Sequence, residues 1–584
     1  MARRPIHNAE IAERLRETAL FLEMEGVPFK PRAYEKAAHA VESHAAPLAD
    51  LFARGGVAAL QEVPFVGKGI AERVAELLES GDIRDLARMR RATPIDVLGL
   101  TSIEGVGPKH AKALYDALGI RSLADLEAAS REGRIRGTPH FGAKSEQKIL
   151  RGLELRAQAS GRHPIGEVWS LAREIEARLA KLAGVRQVAI AGSLRRRKET
   201  IGDLDFLVLS TAPGPVMRRF VEMPEVVAVH ARGESKSMVR LANGMDADLR
   251  IVPKESFGAA LVYFTGGKDH NVTLRRVAQE AGLKLNEYGV FKGEKVLAGR
   301  TEQDVYQALG LDWIPPELRE DQGEIEAVRT GRLPRLIEYG ALRGDLQIQT
   351  DWTDGSASIE EMATAAKKLG LEYIAITDHT RDLAMSRGSD EKQLLAQAEE
   401  IRRVNRKLSG MRLLTGAEVN IRKDGTLDLP DQALSRLEVV GAAVHSFFDQ
   451  TRAVATRRVI RAMENPHVDV LFHPTARQLG RREPLHLDMD AVIEAAKRTG
   501  TVLEVDAMPD RLDLKDEYVR KAVGAEVPLV IDSDAHHPNH LRYADEFGVA
   551  VARRGWARAS DVLNTLPAEK LLDRLKDRRR RHRG

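Results

Sequence analysis

Residues Val188–Leu209 read VAIAGSLRRRKETIGDLDFLVL, in which two strand-like apolar runs flank a Gly192-Ser193 turn and a basic cluster. Asp203 and Asp205 open the second run, and alternate residues of a strand share one face, so their carboxylates are predicted to project together. Paired carboxylates suit Mg²⁺, the turn offers N–H groups to anionic oxygens, and arginines bind phosphate. The segment predicts metal-assisted phosphoryl or nucleotidyl transfer, against the alternative that the Asp-x-Asp is a solvated surface pair.

A second acidic strand extends this candidate site. Asp246, Asp248 and Arg250 share a face of the strand-like segment MDADLRIV. Asp248 supplies a third carboxylate if its strand lies beside that of the first pair, and Asp246 is the rival for this position. Two metal ions held by such a group could activate a primer 3′-hydroxyl and stabilise the leaving pyrophosphate.

An aromatic pair, Tyr263 and Phe264, begins the segment Tyr-Phe-Thr-Gly266, and Asn271 follows it. The two rings offer a flat apolar wall to a bound ligand. The alternatives are an ordinary aromatic pair in a core and an asparagine that caps a helix.

Two glycine-containing turns lie in the N-terminal part of the chain, which reads as helical. Such turns can direct backbone N–H groups at DNA phosphates, and the alternative is a plain helix–helix turn. Phe65 stands in the weaker turn where a first glycine is expected. The predicted DNA contacts are Gly105, Gly107 and Lys109 in the clearer turn, and Gly67 and Lys68 in the weaker one.

Composition and charge exclude several classes of protein. The chain has 584 residues, which suggests about three to five domains. It contains no cysteine, so disulfides and thiolate metal sites are excluded. We find no apolar run of about 20 residues and no signal-peptide core in the first 24 residues. A cytoplasmic protein without membrane contact is therefore expected.

The second half alternates strand-like and helix-like segments, which favours a parallel α/β barrel with its chemistry at the carboxyl ends of the strands. A single histidine after a strand is more often buried or capping than metal-binding. Polar residues that follow five strands in succession make a metal site the better interpretation, and such ligands suit Mn²⁺, Zn²⁺ or Fe²⁺. These residues are His379, Glu418, His445, His473, Asp534 and His536.

The order of the motifs up to about residue 315 resembles the family X DNA polymerases of the DNA polymerase beta type. The resemblance implies short-gap filling in DNA repair, with gapped or primer-template DNA and dNTPs as partners and Mg²⁺ or Mn²⁺ as cofactor. It implies that Asp203, Asp205 and Asp248 are the catalytic metal ligands. It places Gly192, Ser193 and Arg196 on the triphosphate, Tyr263, Phe264 and Gly266 beside the sugar, and Asn271 near the base or minor groove.

One departure from this family concerns the N-terminal domain. Polymerase beta-like enzymes use a lysine of this region to form a Schiff base with an abasic sugar, and the matching position here is Arg73. Arginine stays protonated and cannot act as that nucleophile. Lyase activity is therefore not expected, although the basic region can still bind a 5′-phosphate.

The strand-end series of the second half resembles the PHP (polymerase and histidinol phosphatase) domain. The resemblance implies one metal set of Asp354, His379 and His536 and another of Glu418, His445 and His473. A third set, completed by Glu418 and Asp534, is weakened because Gln347 and Gln349 replace a His-x-His pair. We expect a partial Mn²⁺ or Zn²⁺ centre with 3′→5′ exonuclease or phosphoesterase activity, or a degenerate barrel.

The predicted fold class is multidomain, α and α/β: a helical helix-hairpin-helix region, a nucleotidyltransferase palm of mixed sheet and helices, and a distorted PHP-type α/β barrel. The chain is expected to be a monomer. The alternatives to a polymerase are a metal-dependent nuclease or phosphatase and a DNA-end binding protein. The predicted domains are 1–85 (8 kDa-type), 86–165 (helix-hairpin-helix fingers), 166–255 (palm), 256–315 (thumb), 316–340 (linker), 341–575 (PHP) and 576–584 (basic tail). The basic tail is expected to be a solvated, disordered end, and the alternative is that it adds nonspecific phosphate contacts.

Overall fold

The computed structural model describes residues 6, 8–42, 44, 47–158, 161–383 and 386–581. It divides the chain into two compact units. The first comprises residues up to 160 together with 480–483, and the second comprises 161–479 together with the chain from 484 onward.

The first unit is helical, as the sequence predicts. Apolar residues at helical spacing, such as Ile11 and Leu15 in the first helix, are fully buried in its core. Gly55 and Gly56 have non-helical backbone angles and break the third helix. The helices are α1 (Asn8–Met24), α2 (Lys30–Glu42), α3 (Leu48–Leu60), α4 (Lys68–Ser80), α5 (Arg84–Ala92), α6 (Val97–Thr101), α7 (Pro108–Leu118), α8 (Leu123–Arg131) and α9 (Ala143–Gln158).

The second unit begins with a five-stranded mixed sheet whose strand order is β2-β4-β7-β6-β5. The central pair, β4 and β7, is parallel, and the other three pairings are antiparallel. Strands β1 and β3 form a separate two-stranded ladder, and β10-β9-β8 form a three-stranded sheet. The strands are β1 (His163–Pro164), β2 (Val185–Ile190), β3 (Thr200–Ile201), β4 (Asp203–Ser210), β5 (Val226–Arg232), β6 (Lys236–Leu241), β7 (Asp246–Ile251), β8 (Lys284–Asn286), β9 (Gly289–Lys292) and β10 (Lys295–Ala298).

Seven helices accompany these three sheets. The longest, α10, buries Ile165, Val168 and Ile175, which recur at helical spacing, against the five-stranded sheet. The helices are α10 (Ile165–Ala180), α11 (Gly192–Arg195), α12 (Pro213–Val221), α13 (Phe257–Thr265), α14 (Lys268–Glu280), α15 (Glu302–Ala308) and α16 (Glu324–Arg329).

The rest of the second unit is a parallel barrel, which confirms the predicted fold. Its seven strands neighbour one another in chain order from β11 to β17. The ends meet because the Gln349 N–H donates to the Ala535 carbonyl at 2.9 Å. The strands are β11 (Gly344–Ile348), β12 (Tyr373–Ile376), β13 (Arg412–Asn420), β14 (Val439–Ala443), β15 (Val470–Leu471), β16 (Val502–Asp506) and β17 (Leu529–Asp532).

Helices cover the outside of the barrel, and one continuous apolar cluster includes residues of both the five-stranded sheet and the barrel. Phe206 of the sheet and Val440 of the barrel are both members of this cluster. The helices are α17 (Ile359–Lys368), α18 (Glu391–Asn405), α19 (Asp431–Leu434), α20 (Arg452–Met463), α21 (Met489–Thr499), α22 (Asp516–Gly524), α23 (Val549–Arg554) and α24 (Ala568–Arg581).

Buried ion pairs join the same two parts. Glu199, which follows the basic cluster of the sheet, accepts a hydrogen bond from Arg477 of the barrel at 2.5 Å. Arg554 pairs with Asp516 at 2.8 Å and also donates to the Arg197 carbonyl. Arg477 and Arg554 are 7% and 4% exposed. The sheet and the barrel therefore share both apolar and ionic contacts.

The prediction of a free, solvated tail is wrong up to residue 581, because these residues form a helix that contacts the barrel. Helix α24 continues past the expected boundary at 575 because its arginines find carboxylate and carbonyl partners on the barrel. Arg578 is 7% exposed, and Arg579 donates through Nε to Asp469 at 2.8 Å. Residues 582–584 lie outside the described residues.

Replacing Arg579 with alanine is expected to lower the free energy of unfolding by about 2 kcal/mol, because buried Asp469 loses charged hydrogen bonds. Urea unfolding of the full chain measures the change. Arg580→Ala is the control, since Arg580 belongs to the same helix and its side chain is 80% exposed. Equal losses in the two variants would contradict the docking of the helix.

Candidate active sites in the mixed sheet and the barrel

Three carboxylates meet on the central strands of the five-stranded sheet. The parallel register sets Asp203 opposite Asp246 and Asp205 opposite Asp248. Burial, together with the charges of Asp203 and Asp248, raises the pKa of Asp205 to about 7. Burial and Asp248 also raise the pKa of Asp203. The structure therefore supplies the adjacency that the sequence leaves open.

The two candidates for the third carboxylate have different partners. Asp246 accepts two hydrogen bonds from Arg240, at 2.6 and 3.0 Å, and lies 3.2 Å from His230. Asp248 has looser cationic neighbours, Lys236 at 3.1 Å and Arg250 at 3.7 Å. Because a bidentate arginine occupies Asp246, the geometry favours Asp248 as the third ligand.

The Gly-Ser turn lies directly against these carboxylates. Gly192 begins α11 with φ +62°, and a Cβ there would overlap the Asp205 carboxylate. The Ser193 hydroxyl is buried without a hydrogen-bond partner among the described residues. Arg196 donates to Glu320 at 2.5 Å and to the Thr265 carbonyl at 2.7 Å. The turn thus contacts Asp205 through Gly192 and carries a buried hydroxyl without a described partner, while Arg196 is bound to Thr265 and Glu320.

The aromatic pair is connected to the same carboxylates through Arg250. The Tyr263 and Phe264 rings meet edge to face with centroids 5.0 Å apart. The Arg250 guanidinium lies 4.4 Å from the Phe264 centroid and 3.7 Å from Asp248. This cation–π contact orients the ring relative to the acidic cluster.

Asn271 fixes the turn that follows the aromatic pair. Its amide nitrogen donates to the carbonyls of Tyr263 at 2.7 Å and Gly266 at 3.1 Å. A Cβ at Gly266 would overlap the Asn271 side chain, so this close approach requires glycine. In this conformation the amide nitrogen binds the protein backbone and leaves its oxygen for other partners.

An arginine–glutamate network stabilises this region, and no sequence motif indicated it. Arg195 holds Glu302 through two hydrogen bonds of 2.7 and 2.8 Å, and fully buried Arg319 donates to the same carboxylate at 2.6 Å. Burial alone would raise the pKa of Glu302, but the two guanidiniums bring it to about 2. The first arginine of the basic cluster is therefore a structural residue.

The two predicted hairpins have the same backbone conformation. Gly105 has φ +91° and Phe65 has φ +63°, so the phenylalanine occupies the left-handed position that glycine normally takes. Gly107 and Gly67 precede helices α7 and α4 in extended conformation. Lys109 and Lys68 are exposed at the starts of those helices. In addition, Gly105, Gly107 and Gly67 are exposed and accessible to a ligand.

A third turn of this kind was missed in the sequence. His140 has φ +72°, and the Phe141 N–H donates to the Thr138 carbonyl at 3.0 Å, just as Val106 donates to Ile103. Gly142 and an exposed Lys144 then lead into α9. The sequence could have indicated this turn, because Thr-Pro-His-Phe-Gly-Ala-Lys places a glycine just before a helix and a lysine in the first turn of that helix.

The barrel gathers the predicted histidines and carboxylates at its strand ends. Two groups have ligand atoms within 4.8 Å of one another: Asp354, His379 and His536, and His379, Glu418 and His445. His473 joins the second group through a 2.8 Å contact between its Nε2 and Glu418. Burial lowers the pKa of His379 to about 4, which keeps the imidazole neutral as a metal requires. The residues present therefore fit divalent ions.

The glutamines lie where the sequence places them, inside the barrel. Gln349 donates to Glu418 at 2.7 Å. Gln347 is fully buried, and neither of its amide atoms has a hydrogen-bond partner among the described residues. Asp534 is also buried, and burial raises its pKa to about 6. This side of the barrel thus holds amides in place of histidines.

Comparison with known proteins covers most of the chain. Four family models match: a helix-hairpin-helix domain at 6–83, a SAM-like helix-hairpin-helix tandem at 97–157, the DNA polymerase beta thumb at 260–320 and the PHP domain at 345–501. The DNA polymerase/3′-5′ exonuclease PolX of Bacillus subtilis is 37% identical over 566 residues, which are 96% of this chain and 97% of that protein.

The chain belongs to the family X DNA polymerases that carry a PHP domain.

Two animal members of family X match a smaller part. Rat DNA polymerase lambda is 28% identical over 54% of this chain and 56% of its own length. Human DNA-directed DNA/RNA polymerase mu is 27% identical over 54% of this chain and 69% of its own length. The predicted family, fold class and enzyme class are thereby confirmed, and divalent metals are the cofactors of such enzymes as a class.

The thumb match extends to residue 320, past the predicted boundary at 315. Buried Arg319, which the sequence assigned to a linker, contacts Glu302 within that matched range. In the described part of this polymerase, no helix has both the length and the apolar character needed to cross a bilayer.

The metal-free polymerase is expected to gain stability when Asp205 becomes asparagine. The folded-state pKa of about 7 lies above the ordinary carboxyl value. Asp205 therefore contributes stability at low pH that is lost as the pH rises from about 4 through about 7. With a chelator at about pH 8, the free energy of unfolding of Asp205→Asn should exceed that of the wild type by about 1–2 kcal/mol. This gain should shrink towards pH 4.

Thermal unfolding across this pH range tests the expectation. Asp246→Asn is the control, because that carboxylate is paired with Arg240 and its replacement should bring no gain. A wild-type protein as stable as Asp205→Asn at the high-pH end would contradict the proposed crowding of carboxylates.

Proposed function

We propose that this family X polymerase fills short DNA gaps during repair by adding dNTPs to a primer 3′ end. The single observation that carries the proposal is the position of Asp205, which has Asp248 on the neighbouring strand and the Gly192 turn against its carboxylate. Oxygen ligands beside an anion-binding turn are what Mg²⁺ and a nucleoside triphosphate require.

Asp203, Asp205 and Asp248 would hold Mg²⁺ or Mn²⁺. When bound, such ions supply Lewis-acid activation of the primer 3′-hydroxyl and stabilise the leaving pyrophosphate. The strand register fixes the ligands before DNA arrives, so the protein needs no reorganisation to present them.

Gly192, Ser193 and Arg196 would bind the triphosphate. Ser193 offers a buried hydroxyl without a protein partner, and Gly192 leaves space for the backbone to approach the anion. Arg196 would exchange Glu320 for phosphate oxygens, because both are charged acceptors of comparable geometry. This exchange would couple nucleotide binding to movement of the thumb segment.

Tyr263 and Phe264 would form the wall beside the deoxyribose, with Gly266 closing the turn and Asn271 facing the base or minor groove through its free oxygen. The Arg250 contact supports this role because it holds Phe264 near the carboxylates. A ring fixed in this way crowds a 2′-hydroxyl and favours dNTPs over ribonucleotides.

The two hairpins would hold DNA through phosphates, independent of sequence. Exposed Gly105, Gly107 and Gly67 allow close approach of the backbone, and Lys109 and Lys68 add charge. Arg73 pairs with Asp85 at 2.7 Å, so this position contributes a salt bridge and no Schiff-base nucleophile.

Asp205→Ala should reduce nucleotide incorporation on gapped DNA by at least about 10³-fold, equivalent to about 4 kcal/mol of transition-state stabilisation. Primer extension in Mg²⁺ and in Mn²⁺ measures the rate, and a gel-shift assay verifies that DNA binding persists. The control is Asp246→Ala on the same sheet face, which should retain activity within roughly threefold. Normal extension by the Asp205 variant would overturn the two-metal assignment.

A second activity is favoured by the barrel: we propose metal-dependent phosphodiester cleavage at a DNA 3′ end. Two ligand groups that share His379 support it, since paired metal positions are typical of phosphoesterases. Asp354, His379 and His536 would hold one Mn²⁺ or Zn²⁺, and a second set would hold the other. That second set is Glu418, His445 and His473.

His445→Ala should lower the Mn²⁺-dependent release of nucleotides from a 3′ end by at least about tenfold. The assay uses an Asp205→Ala background without dNTPs, so that the polymerase site contributes nothing. His486→Ala is the control, because His486 is exposed on the same unit. Equal cleavage by both variants would favour a degenerate barrel.

The domain boundaries, the monomeric state and the association with the nucleoid are also proposals. The family-model ranges agree with the order of the proposed domains. Size-exclusion chromatography with light scattering would test the monomer.

A further inference from the structure

We infer that the fixed guanidinium of Arg511 takes the place of a third metal ion in the barrel site, so that the barrel holds two divalent ions. The inference deepens the proposed phosphodiesterase site and rests on it only for the identity of the two ions. It concerns the side of the barrel where Asp534 lies beside Gln347 and Gln349.

Arg511 lies between two buried carboxylates that face the barrel interior. Its Nε is 3.5 Å from Asp506 and 3.7 Å from Asp534. Asp506 is fully buried and Asp534 is 3% exposed. Two buried carboxylates without a cation would be costly, and the guanidinium compensates both.

The loop after β16 holds Arg511 in this position. The Arg511 N–H donates to the Met508 carbonyl at 2.8 Å, and the Met508 N–H donates to the other oxygen of Asp506 at 2.7 Å. The loop therefore binds both the arginine backbone and its carboxylate partner. The positive charge is part of the fold and does not depend on an added ion.

The ligands on this side do not favour a metal. Gln349 directs an N–H donor at Glu418, and Gln347 is a neutral amide. Amides are weak ligands for transition metals. Among the residues that the structure describes, the two groups with three ligand atoms within 4.8 Å do not include Asp534. The guanidinium thus stands where a metal ligand set is incomplete.

Stoichiometry of bound Mn²⁺, measured by mass spectrometry after desalting the full chain in an Asp205→Asn background, tests the inference. The wild-type barrel should retain two equivalents. Gln347→His with Gln349→His should still retain two, because the guanidinium excludes a third ion. Adding Arg511→Gln to that pair should raise the content to three. Three equivalents in the double variant, with Arg511 intact, would overturn the inference.

Thermal unfolding gives a second readout that does not require the triple variant. Arg511→Gln should lower Tm by at least ~4 °C, because two buried carboxylates lose their cation, and Arg511→Lys should restore most of it. Arg457→Gln, at an exposed position, is the matched control. An unchanged Tm in Arg511→Gln would also overturn the inference. Neither measurement uses DNA cleavage, so loss of the proposed phosphodiesterase activity would be seen separately.

Discussion

Electrostatic repulsion among three carboxylates, imposed by the pairing of β4 with β7, is the constraint on which the proposed polymerase site depends. The backbone ladder holds Asp205 opposite Asp248, and a slip of one residue would turn either side chain to the other face of the sheet. The pKa of Asp205, about 7, reflects the resulting burial and charge. The sheet thus maintains a local instability that the proposed divalent ion would relieve.

A series of buried contacts connects the proposed polymerase site to the barrel. The turn that contacts Asp205 continues into the basic cluster and then Glu199, whose partner Arg477 lies four residues after His473, a proposed ligand of the barrel. One apolar cluster runs through both parts. A change in the position of the Gly-Ser turn therefore has a short structural path to the barrel, made of buried contacts on each side.

The sequence predicts local features well and long-range partners poorly. Strand alternation located the Asp-x-Asp faces, and strand ends located the histidines. Strand alternation alone could not choose Asp248 over Asp246, and only the family resemblance favoured Asp248, because the physical choice depends on Arg240 and on which strands are neighbours. Composition also misjudged α24: a run of arginines reads as a solvated tail until Asp469 is known to lie beneath it.

Two carboxylates that stabilise the fold, Glu302 and Asp469, have different partners from Asp205, a proposed metal ligand. Glu302 and Asp469 each receive direct arginine hydrogen bonds, and the pKa of Glu302 falls to about 2. Asp205 lies near two arginines but has no such bond in the described structure, and its pKa rises to about 7. A fold that pairs Glu302 and Asp469 so closely, yet leaves Asp205 without a bonded guanidinium, retains a position for a cation that the protein does not itself supply. Motif spacing could not reveal that contrast, because it arises from which guanidiniums reach which oxygens.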